Sequence, residues 1–245
     1  MRLALAAVAA ALLAAGAASA HPGPLGPPPT ALDRLVRAGK PVFCGGPRKR
    51  LFALTFDDGP GPWTEGLLAL LRRRHAPATF FLVGNRIPRW QSSARAEAAY
   101  GVVGNHTWSH PQLSRLTPRR ARAELVWTQQ ELWRRLGVRS RLFRPPYDRI
   151  GTRATRMLHA LHLLDVRWNV DPGDSLPGAR PGRVTRAAVA GLKPGAIVIL
   201  HETHPWTVRV VRAILDAAAK RHLRPVTVPE LLERDPPDPS RSCYS

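Results

Sequence analysis

Two adjacent aspartates end an apolar run in the segment LTFDDGPGPW, residues 54–63. Two ionised carboxylates side by side repel each other unless a cation lies next to the pair. Taken alone, Asp57 and Asp58 favour a structural turn, because Asp, Gly and Pro are all turn-forming residues. The pair indicates a chemical site only if further ligands for a shared cation occur elsewhere in the chain.

The segment GNHTWSHP, residues 104–111, supplies such ligands directly after another apolar run. His106 and His110 are four residues apart, a spacing that brings two imidazoles together on a helix or in a tight turn. Pro111 disfavours helical backbone at His110, so a loop is the better home for both. Two histidines and one carboxylate are a frequent ligand set for a catalytic divalent metal with open positions. An isolated HxxxH pattern is weak evidence, but beside the two aspartates it predicts a metal site.

Three further segments place polar residues directly after apolar runs. FRPPYD supplies Arg144, which can pair with a carboxylate, and a rigid Pro-Pro segment before Tyr147. WNVDPGDS supplies Asp171 and Asp174, and AIVILHE leads to His201. Each of these residues alone could be a surface ion pair or a structural histidine. Their common position after apolar runs indicates one shared site.

Apolar runs of strand length alternate with amphipathic stretches of helix length. The strand candidates are 51–56, 78–83, 101–103, 141–143, 164–170, 196–200 and 224–226. The helix candidates are 63–74, 118–136, 153–161, 184–190, 208–220 and 229–234. Repeated β–α units predict a parallel sheet, and about seven of them predict a barrel-like α/β domain. In such folds the loops after the carboxyl ends of the strands form the active site, which brings the polar segments together.

Four regions are predicted along the chain. Residues 1–20 resemble a secretory signal peptide with a small-residue cleavage site after Ala20, and an uncleaved membrane anchor is the alternative. Residues 21–49 read as a Pro/Gly-rich linker that contains a short helix over 31–38, residues 50–234 as one catalytic domain, and 235–245 as a C-terminal tail. We therefore expect a secreted or cell-envelope protein with no transmembrane span once the signal peptide is removed.

The chain carries 37 Lys and Arg residues against 17 Asp and Glu, a net charge of +20. A polycation can associate with an acidic cell wall, an anionic membrane surface or nucleic acid. The arginines are scattered, which favours solvated surface positions and predicts no specific nucleic-acid partner, while association with an acidic cell wall stays open. Cys44 and Cys243 flank the domain, and the sequence leaves open whether they form a disulfide or two free thiols.

The ordered set TFDDGP, HTWSH, RPPY, DPGD and ILH resembles the five motifs of the polysaccharide deacetylase family, carbohydrate esterase family 4, which shares the NodB homology domain. ATFFLVG, KPGAIVILHE and VTVPELL are similar to that family as well, so the resemblance covers residues 50–233. It implies a single-domain, distorted, TIM-like (β/α) barrel. It also implies metal-dependent removal of acetyl groups from N-acetylated, and sometimes O-acetylated, sugars.

The resemblance implies a role for each residue of the first two motifs. The ligands of one divalent metal ion are Asp58, His106 and His110. Zinc is the first expectation, with cobalt, nickel or manganese as alternatives. Asp57 matches the catalytic base, and Arg144 matches the partner that orients it.

The other motifs supply the acid and the substrate contacts by the same resemblance. His201 matches the general acid, and Asp174 the residue that tunes it. Pro145 and Tyr147 match substrate-binding positions, and the backbone N–H of Tyr147 matches an oxyanion donor. Ile199 belongs to the pocket that receives the acetyl methyl group.

Aromatic residues in the predicted loops are candidates for stacking on sugar rings. Trp108 and Trp206 are the favoured candidates, whereas Trp168, inside a strand candidate, is expected to pack in the core. Ser175 departs from the family, which usually has Trp after the second Asp of the fourth motif. This replacement removes an aromatic wall from the expected groove.

The sequence thus predicts an exported, metal-dependent deacetylase that releases acetate from glycans containing N-acetylglucosamine, such as peptidoglycan or chitin oligomers. One alternative is an esterase or amidase for another acylated substrate, such as acetylxylan. A second alternative is a non-catalytic cell-wall binding module. The intact set of chemical residues argues against loss of activity, and Ser175 argues for it.

Overall fold

The protein is an α/β domain, described here from a computed structural model that covers residues 30–238 and Cys243. The predicted signal peptide, residues 21–29 of the predicted linker and most of the last seven residues lie outside the described part of the chain. Among the described residues, no helix is long and apolar enough to span a bilayer.

The secondary structure follows the predicted β–α alternation. The strands are β1 Leu51–Gly59, β2 Thr79–Leu82, β3 Val102–Asn105, β4 Leu142–Phe143, β5 Leu164–Asp165, β6 Ile197–His201 and β7 Arg224–Val226. The α-helices are α1 Ala31–Ala38, α2 Thr64–Arg73, α3 Gln91–Tyr100, α4 Pro118–Leu136, α5 Thr152–Ala160, α6 Pro181–Gly191, α7 Thr207–Lys220 and α8 Val228–Arg234. Short 3₁₀ turns lie at Gly84–Arg86, Leu113–Arg115 and Pro146–Asp148.

All the described strands pair in parallel within one sheet. Its order is β5-β4-β3-β2-β1-β6, and β7 pairs with the start of β1. A parallel bridge from Val170, beyond β5, to Val198 on β6 brings the two ends of the sheet together. The architecture is therefore the curled, distorted (β/α) barrel that the sequence predicts.

The central strand β1 is buried on both faces. Phe52, Leu54 and Phe56 belong to the larger core, which includes residues of α2 and α7. Leu51 and Ala53 belong to a second core on the opposite face of the sheet. Because both faces are covered, β1 is a continuous apolar run that stops at its two aspartates.

The apolar run after β4 behaves differently from the prediction. We predicted a strand over 164–170, but β5 ends at Asp165. Beyond it, Val166 bridges to Val42 and Val170 bridges to Val198. The apolar character of this run reflects burial between other segments of the barrel rather than continued pairing with β4.

Helix α3 was missed by the sequence analysis. Its sequence, QSSARAEAAY, lacks a stripe of large apolar residues, and the side chains it buries are Ser93, Ala94 and Glu97. Alanine has a high helix propensity but a weak periodic signal, so apolar periodicity could not detect this helix.

The second half of the predicted linker packs against the domain. Helix α1 begins with a capping box at Thr30 and ends at Gly39, whose φ is 64°. Val36 and Val42 are buried, and α1 contacts α8. Residues 30–49 are therefore part of the packed structure, because two apolar side chains in this Gly-containing segment fill its second core.

Cys44 and Cys243 form a disulfide, with their Cα atoms 5.7 Å apart. The bond joins residues separated by 199 positions and ties the end of the chain to the segment before β1. Of the two possibilities that the sequence leaves open, the structure has the cross-linked one.

Candidate active site

A buried arginine orients the first aspartate of the pair. Arg144 follows β4 directly, is 0% exposed, and its guanidinium donates to four oxygens. Nη1 lies 2.8 Å from Oδ1 of Asp57 and 2.7 Å from Oγ1 of Thr55. The other donors reach the carbonyl oxygens of Val166 at 3.0 Å and Arg167 at 3.1 Å. A planar guanidinium held by four acceptors has one orientation, so it fixes the Asp57 carboxylate as well.

Three metal-binding atoms converge next to Asp57. Oδ1 of Asp58, Nε2 of His106 and Nε2 of His110 lie within 4.8 Å of one another. Oδ1 is 3.5 Å from Nε2 of His106 and 3.1 Å from Nε2 of His110, yet this buried oxygen makes no hydrogen bond of acceptable geometry. Ligands of a tetrahedral zinc with bonds of about 2.0 Å lie about 3.3 Å apart. The donor set therefore fits one divalent cation.

The other nitrogen of each imidazole makes a hydrogen bond that fixes the orientation of the ring. Nδ1 of His106 lies 2.8 Å from the carbonyl oxygen of Arg144, and Nδ1 of His110 lies 3.2 Å from the hydroxyl of Tyr147. A carbonyl only accepts, so Nδ1 of His106 carries the proton and Nε2 offers its lone pair. Burial favours a higher pKa for Asp58, but hydrogen bonds and positive charge from the two imidazoles, when these are protonated, outweigh it and hold the pKa well below its usual value. A divalent cation bound to the neutral rings would favour the charged carboxylate in the same way. The Asp58 carboxylate is therefore ionised.

Several residues of the site have a left-handed backbone conformation, which sets the direction of their side chains. Asp58, Thr107, His110 and Tyr147 have φ values of 67°, 66°, 59° and 58°. Non-glycine residues in this region cost of order 1–3 kcal/mol each and persist where the surroundings fix them. Two hydrogen bonds fix Thr107. Its backbone N–H donates to Oδ1 of Asn105 at 2.9 Å, and the Thr107 Oγ1 accepts from the N–H of His110 at 3.1 Å.

A second, separate pair of residues, Asp174 and His201, lies at the end of β6. Asp174 is 0% exposed and accepts at 2.8 Å from Nδ1 of His201 and at 2.6 Å from the backbone N–H of His201. Burial lowers the pKa of His201, but the hydrogen bond and charge of Asp174, helped by Asp57 and Asp58, outweigh it and raise the pKa to about 9. The imidazole is therefore cationic at neutral pH, with Nε2 as its remaining donor.

Asp57, the three candidate metal ligands and His201 open into one cleft of about 820 Å³. Its lining residues are Asp57, Asp58, His106, His110, Pro145, Tyr147, Asp148, Trp168, Asp171, Ser175, Leu176, Ile199 and His201. Asp57 and His201 are register partners on the adjacent strands β1 and β6. The structure thus brings the predicted site residues together, with Arg144 and Asp174 buried behind the wall of the cleft.

Trp108 is the exception among the predicted substrate-binding residues. It packs edge-to-face on Trp127 of α4, with ring centroids 6.2 Å apart, and over Gly84, outside the cleft. His106 and His110 face the cleft, so the turn between them sends Trp108 to the opposite side. Trp168, predicted to pack in the core, both packs there and lines the cleft. The other favoured aromatic, Trp206, stacks on His204 instead.

Several supporting residues escaped the sequence analysis. Thr55, inside β1, donates to the carbonyl of Val198 at 2.8 Å while it accepts from Arg144. Asn105, at the end of β3, donates to the carbonyl of Leu125 at 2.9 Å. Arg86 donates to the carbonyl of Asp58 at 2.7 Å. For Thr55 and Asn105 the available signal was a polar residue within an otherwise apolar strand, which is unfavourable unless it has buried partners. Arg86 lies in a 3₁₀ turn and gave no such signal.

Comparison with known proteins agrees with this geometry. The family model described as polysaccharide deacetylase matches residues 45–166. A chitooligosaccharide deacetylase from a Bradyrhizobium species is 37% identical over 168 residues, which cover 62% of this chain and 70% of that protein. The chain belongs to the polysaccharide deacetylase family.

Other members of the family extend the comparison. The peptidoglycan-N-acetylglucosamine deacetylase PgdA of Listeria monocytogenes is 32% identical over 181 residues, which cover 73% of this chain and 38% of that protein. This chain thus spans well under half the length of PgdA. The solved structure of the Bc1960 peptidoglycan N-acetylglucosamine deacetylase superposes with a TM-score of 0.74 at 28% identity, over 78% of this chain and 92% of that one.

Proposed function

We propose that this polysaccharide deacetylase family member is a metal-dependent hydrolase that removes N-acetyl groups from glycans containing N-acetylglucosamine. The observation that carries the proposal is the arrangement in one cleft of an oriented carboxylate, a three-atom cation site and a cationic histidine. Hydrolysis of an amide needs all three functions at once: a base for water, an electrophile for the carbonyl, and an acid for the leaving nitrogen.

Asp57 acts as the general base. Arg144 binds Oδ1 at 2.8 Å, which leaves Oδ2 on the side of the ligands, 3.8 Å from Nε2 of His106. Oδ2 takes a proton from a water molecule in the cleft, and the water oxygen attacks the acetyl carbonyl carbon. The backbone N–H of Tyr147, held in the left-handed region, donates to the oxyanion that forms.

A divalent cation held by Asp58, His106 and His110 would lower the pKa of a bound water and polarise the acetyl carbonyl. The chemistry of one carboxylate and two imidazoles suits zinc first, and also cobalt, nickel or manganese.

His201 acts as the general acid. An amine leaves from the intermediate only when its nitrogen is protonated, and His201 is charged below about pH 9. Its proton passes to the amide nitrogen, the C–N bond breaks, and acetate and a free amine result. Asp174 holds the imidazole orientation through Nδ1, so the proton that leaves is on Nε2.

The cleft favours a sugar polymer as the substrate. It is open to solvent, and the exposed side chains of Tyr147 and Leu176 flank it, together with the indole of Trp168. The named relatives act on peptidoglycan N-acetylglucosamine and on chitooligosaccharides, which supports these glycans as the first candidates. The signal-like residues 1–20 support export to the cell envelope, where an acidic wall could also attract the charge of +20.

Two alternatives keep specific support. Ser175 lines the cleft at a position where the family usually has Trp, and the loss of that aromatic wall supports an esterase or amidase for another acylated substrate such as acetylxylan. The same replacement favours a wall-binding module without turnover, although the full set of acid, base and ligands opposes it.

The test is acetate release by the purified full chain, supplied with zinc or cobalt, from chito-oligosaccharides, peptidoglycan and acetylxylan. We expect release from the N-acetylated glycans, and its loss in His110→Ala and Asp57→Asn. His159→Ala, on the exposed side of α5, is the matched control and should keep full activity. Release from acetylxylan alone would establish the esterase alternative, and no release from any substrate would refute catalysis.

A further inference from the structure

A second pair of acidic residues, Glu97 and Glu202, is buried behind the cleft. Glu97 lies on α3 and is 0% exposed, and Glu202 directly follows His201 at the end of β6 and is 2% exposed. Both oxygens of Glu97 and Oε1 of Glu202 make no hydrogen bond if both groups are carboxylates. The proposed chemistry uses neither residue, and a buried carboxylate without a partner is strongly unfavourable.

The two carboxyl groups face each other closely enough to hydrogen-bond. Burial, then the charge and contact of Glu202, and then Glu65, raise the pKa of Glu97 well above its usual value. The pKa of Glu202 is also raised, because burial and the charge of Asp58 outweigh Glu97, Thr64 and Arg86. One proton between the groups converts a repulsive contact into an O–H···O⁻ hydrogen bond.

Glu202 also supports the segment that carries the metal ligand Asp58. Its backbone N–H donates to the carbonyl of Asp57 at 3.2 Å. Its carboxyl group lies so close to Gly59 that a Cβ there would overlap it. Its Oε2 accepts from Oγ1 of Thr64, which in turn accepts from the N–H of Gly61 at 2.9 Å. Glu202 thus contacts the segment on both sides of Asp58, through its backbone N–H before Asp58 and through its side chain after it.

We propose that Glu97 and Glu202 share one proton and act as a positioning pair that holds residues 57–61, and with them Asp58, in the geometry that binds the cation. This inference rests on the proposed function, because it assigns a role toward the same cation site. Glu97 supports the Glu202 side chain from α3, and that side chain contacts Gly59 directly and Gly61 through Thr64. Neither residue lines the cleft, so both act through Asp58.

The test measures the affinity of the full chain for Co²⁺ by titration of its visible absorption, which needs no substrate. Glu97→Leu leaves Glu202 buried without its partner, and we expect the dissociation constant for Co²⁺ to rise about 10-fold, the lower end for residues that support metal ligands. Glu97→Gln offers an amide N–H in place of the shared proton, and the affinity should return to about the wild-type value.

The control is Glu131→Leu, which removes a buried glutamate of α4 that pairs with Arg134 and Arg135 away from the cleft. Both leucine variants should lower the melting temperature, but Glu131→Leu should leave the Co²⁺ affinity unchanged. If Glu97→Leu does not fold, Thr64→Val tests the same link, since it removes the hydroxyl between Glu202 and Gly61 and should weaken Co²⁺ binding in the same direction.

Equal Co²⁺ affinities in wild type, Glu97→Leu and Thr64→Val would overturn the inference, and so would an equal loss in Glu131→Leu. Two bound metal ions per wild-type chain and one in Glu97→Gln would also overturn it, because the pair would then hold a cation instead of a proton. These results differ from failure of the proposed function, which would appear as normal Co²⁺ binding by the wild type without acetate release.

Discussion

The ion pair between Arg144 and Asp57 should couple two buried groups far more strongly than a surface pair does. Both side chains are fully or almost fully buried, at 0% and 2% exposure. Arg144→Met leaves the Asp57 carboxylate in the core without a counter-ion. Such a change costs about 3–5 kcal/mol of unfolding free energy, because the remaining charge loses its partner while it stays desolvated.

The magnitude can be isolated with a double-mutant cycle. Asp57→Asn removes the charge that Arg144→Met would leave behind, so the double variant should recover about 2 kcal/mol or more of the sum of the single losses. The comparison cycle uses Arg141 and Asp33, whose pair is 2.6 Å long with side chains 39% and 32% exposed. Exposed pairs of this kind couple much more weakly than buried ones.

Urea unfolding followed by tryptophan fluorescence gives both coupling energies. A coupling for Arg144 and Asp57 no larger than that for Arg141 and Asp33 would refute the conclusion that a buried arginine fixes the base. A large coupling with full deacetylation in Arg144→Met would refute its role in orienting Asp57, while leaving the structural pairing intact.

Three further predictions concern the acid, the cation and the disulfide. The pKa of His201 is raised from its ordinary value to about 9, so acetate release should fall as the pH rises through about 9. Asp174→Asn should move that fall to lower pH in a pH–rate profile, and an unchanged profile would contradict the assignment of His201 as the acid. Removal of the cation with a chelator should abolish acetate release, and added zinc or cobalt should restore it in the wild type but not in His110→Ala, measured beside metal content per chain. Reduction of the Cys44–Cys243 bond, which closes a separation of 199 residues, should lower the unfolding free energy by about 2–5 kcal/mol in chemical unfolding, and a Cys44→Ser/Cys243→Ser variant should show the same loss without a reductant.

The sequence predicted the strands and the chemical residues well, because both depend on local patterns. A strand lies at each candidate position of the domain, although the one predicted over 164–170 ends at Asp165. Helix α4 has the predicted ends, with Thr117 as N-cap and Gly137 after its last residue. Residues that follow parallel strands meet at one end of a barrel, so Asp57, His106 and His201 were brought to one cleft by topology alone.

Features that depend on tertiary contacts were less accessible. Trp108 was expected in the groove because its loop was, but the direction of a side chain within a tight turn follows from dihedral angles that the sequence does not display. Glu97 and Glu202 are far apart in the sequence, one on α3 and the other after β6, and nothing in the two local sequences indicates that they meet. The burial of Val36 and Val42 was missed for the same reason, because the segments that cover them, α8 and residue 166, lie far along the chain.

The residues of the cleft belong to two parts of the barrel that are connected differently. The proposed base and the candidate metal ligands are on or directly after β1 and β3, which β2 joins, and the proposed acid is on β6 beside β1. Trp168, Asp171 and Ser175 belong to the segment after β5, which attaches to its neighbours through the isolated bridges at Val166 and Val170. Substitutions at Trp168, Asp171 and Ser175 therefore change the wall of the cleft without changing the pairing of β1 with β6, whereas Asp174, in the same segment, also binds His201. At these three wall positions the proposed recognition of the glycan is freer to vary than the proposed chemistry.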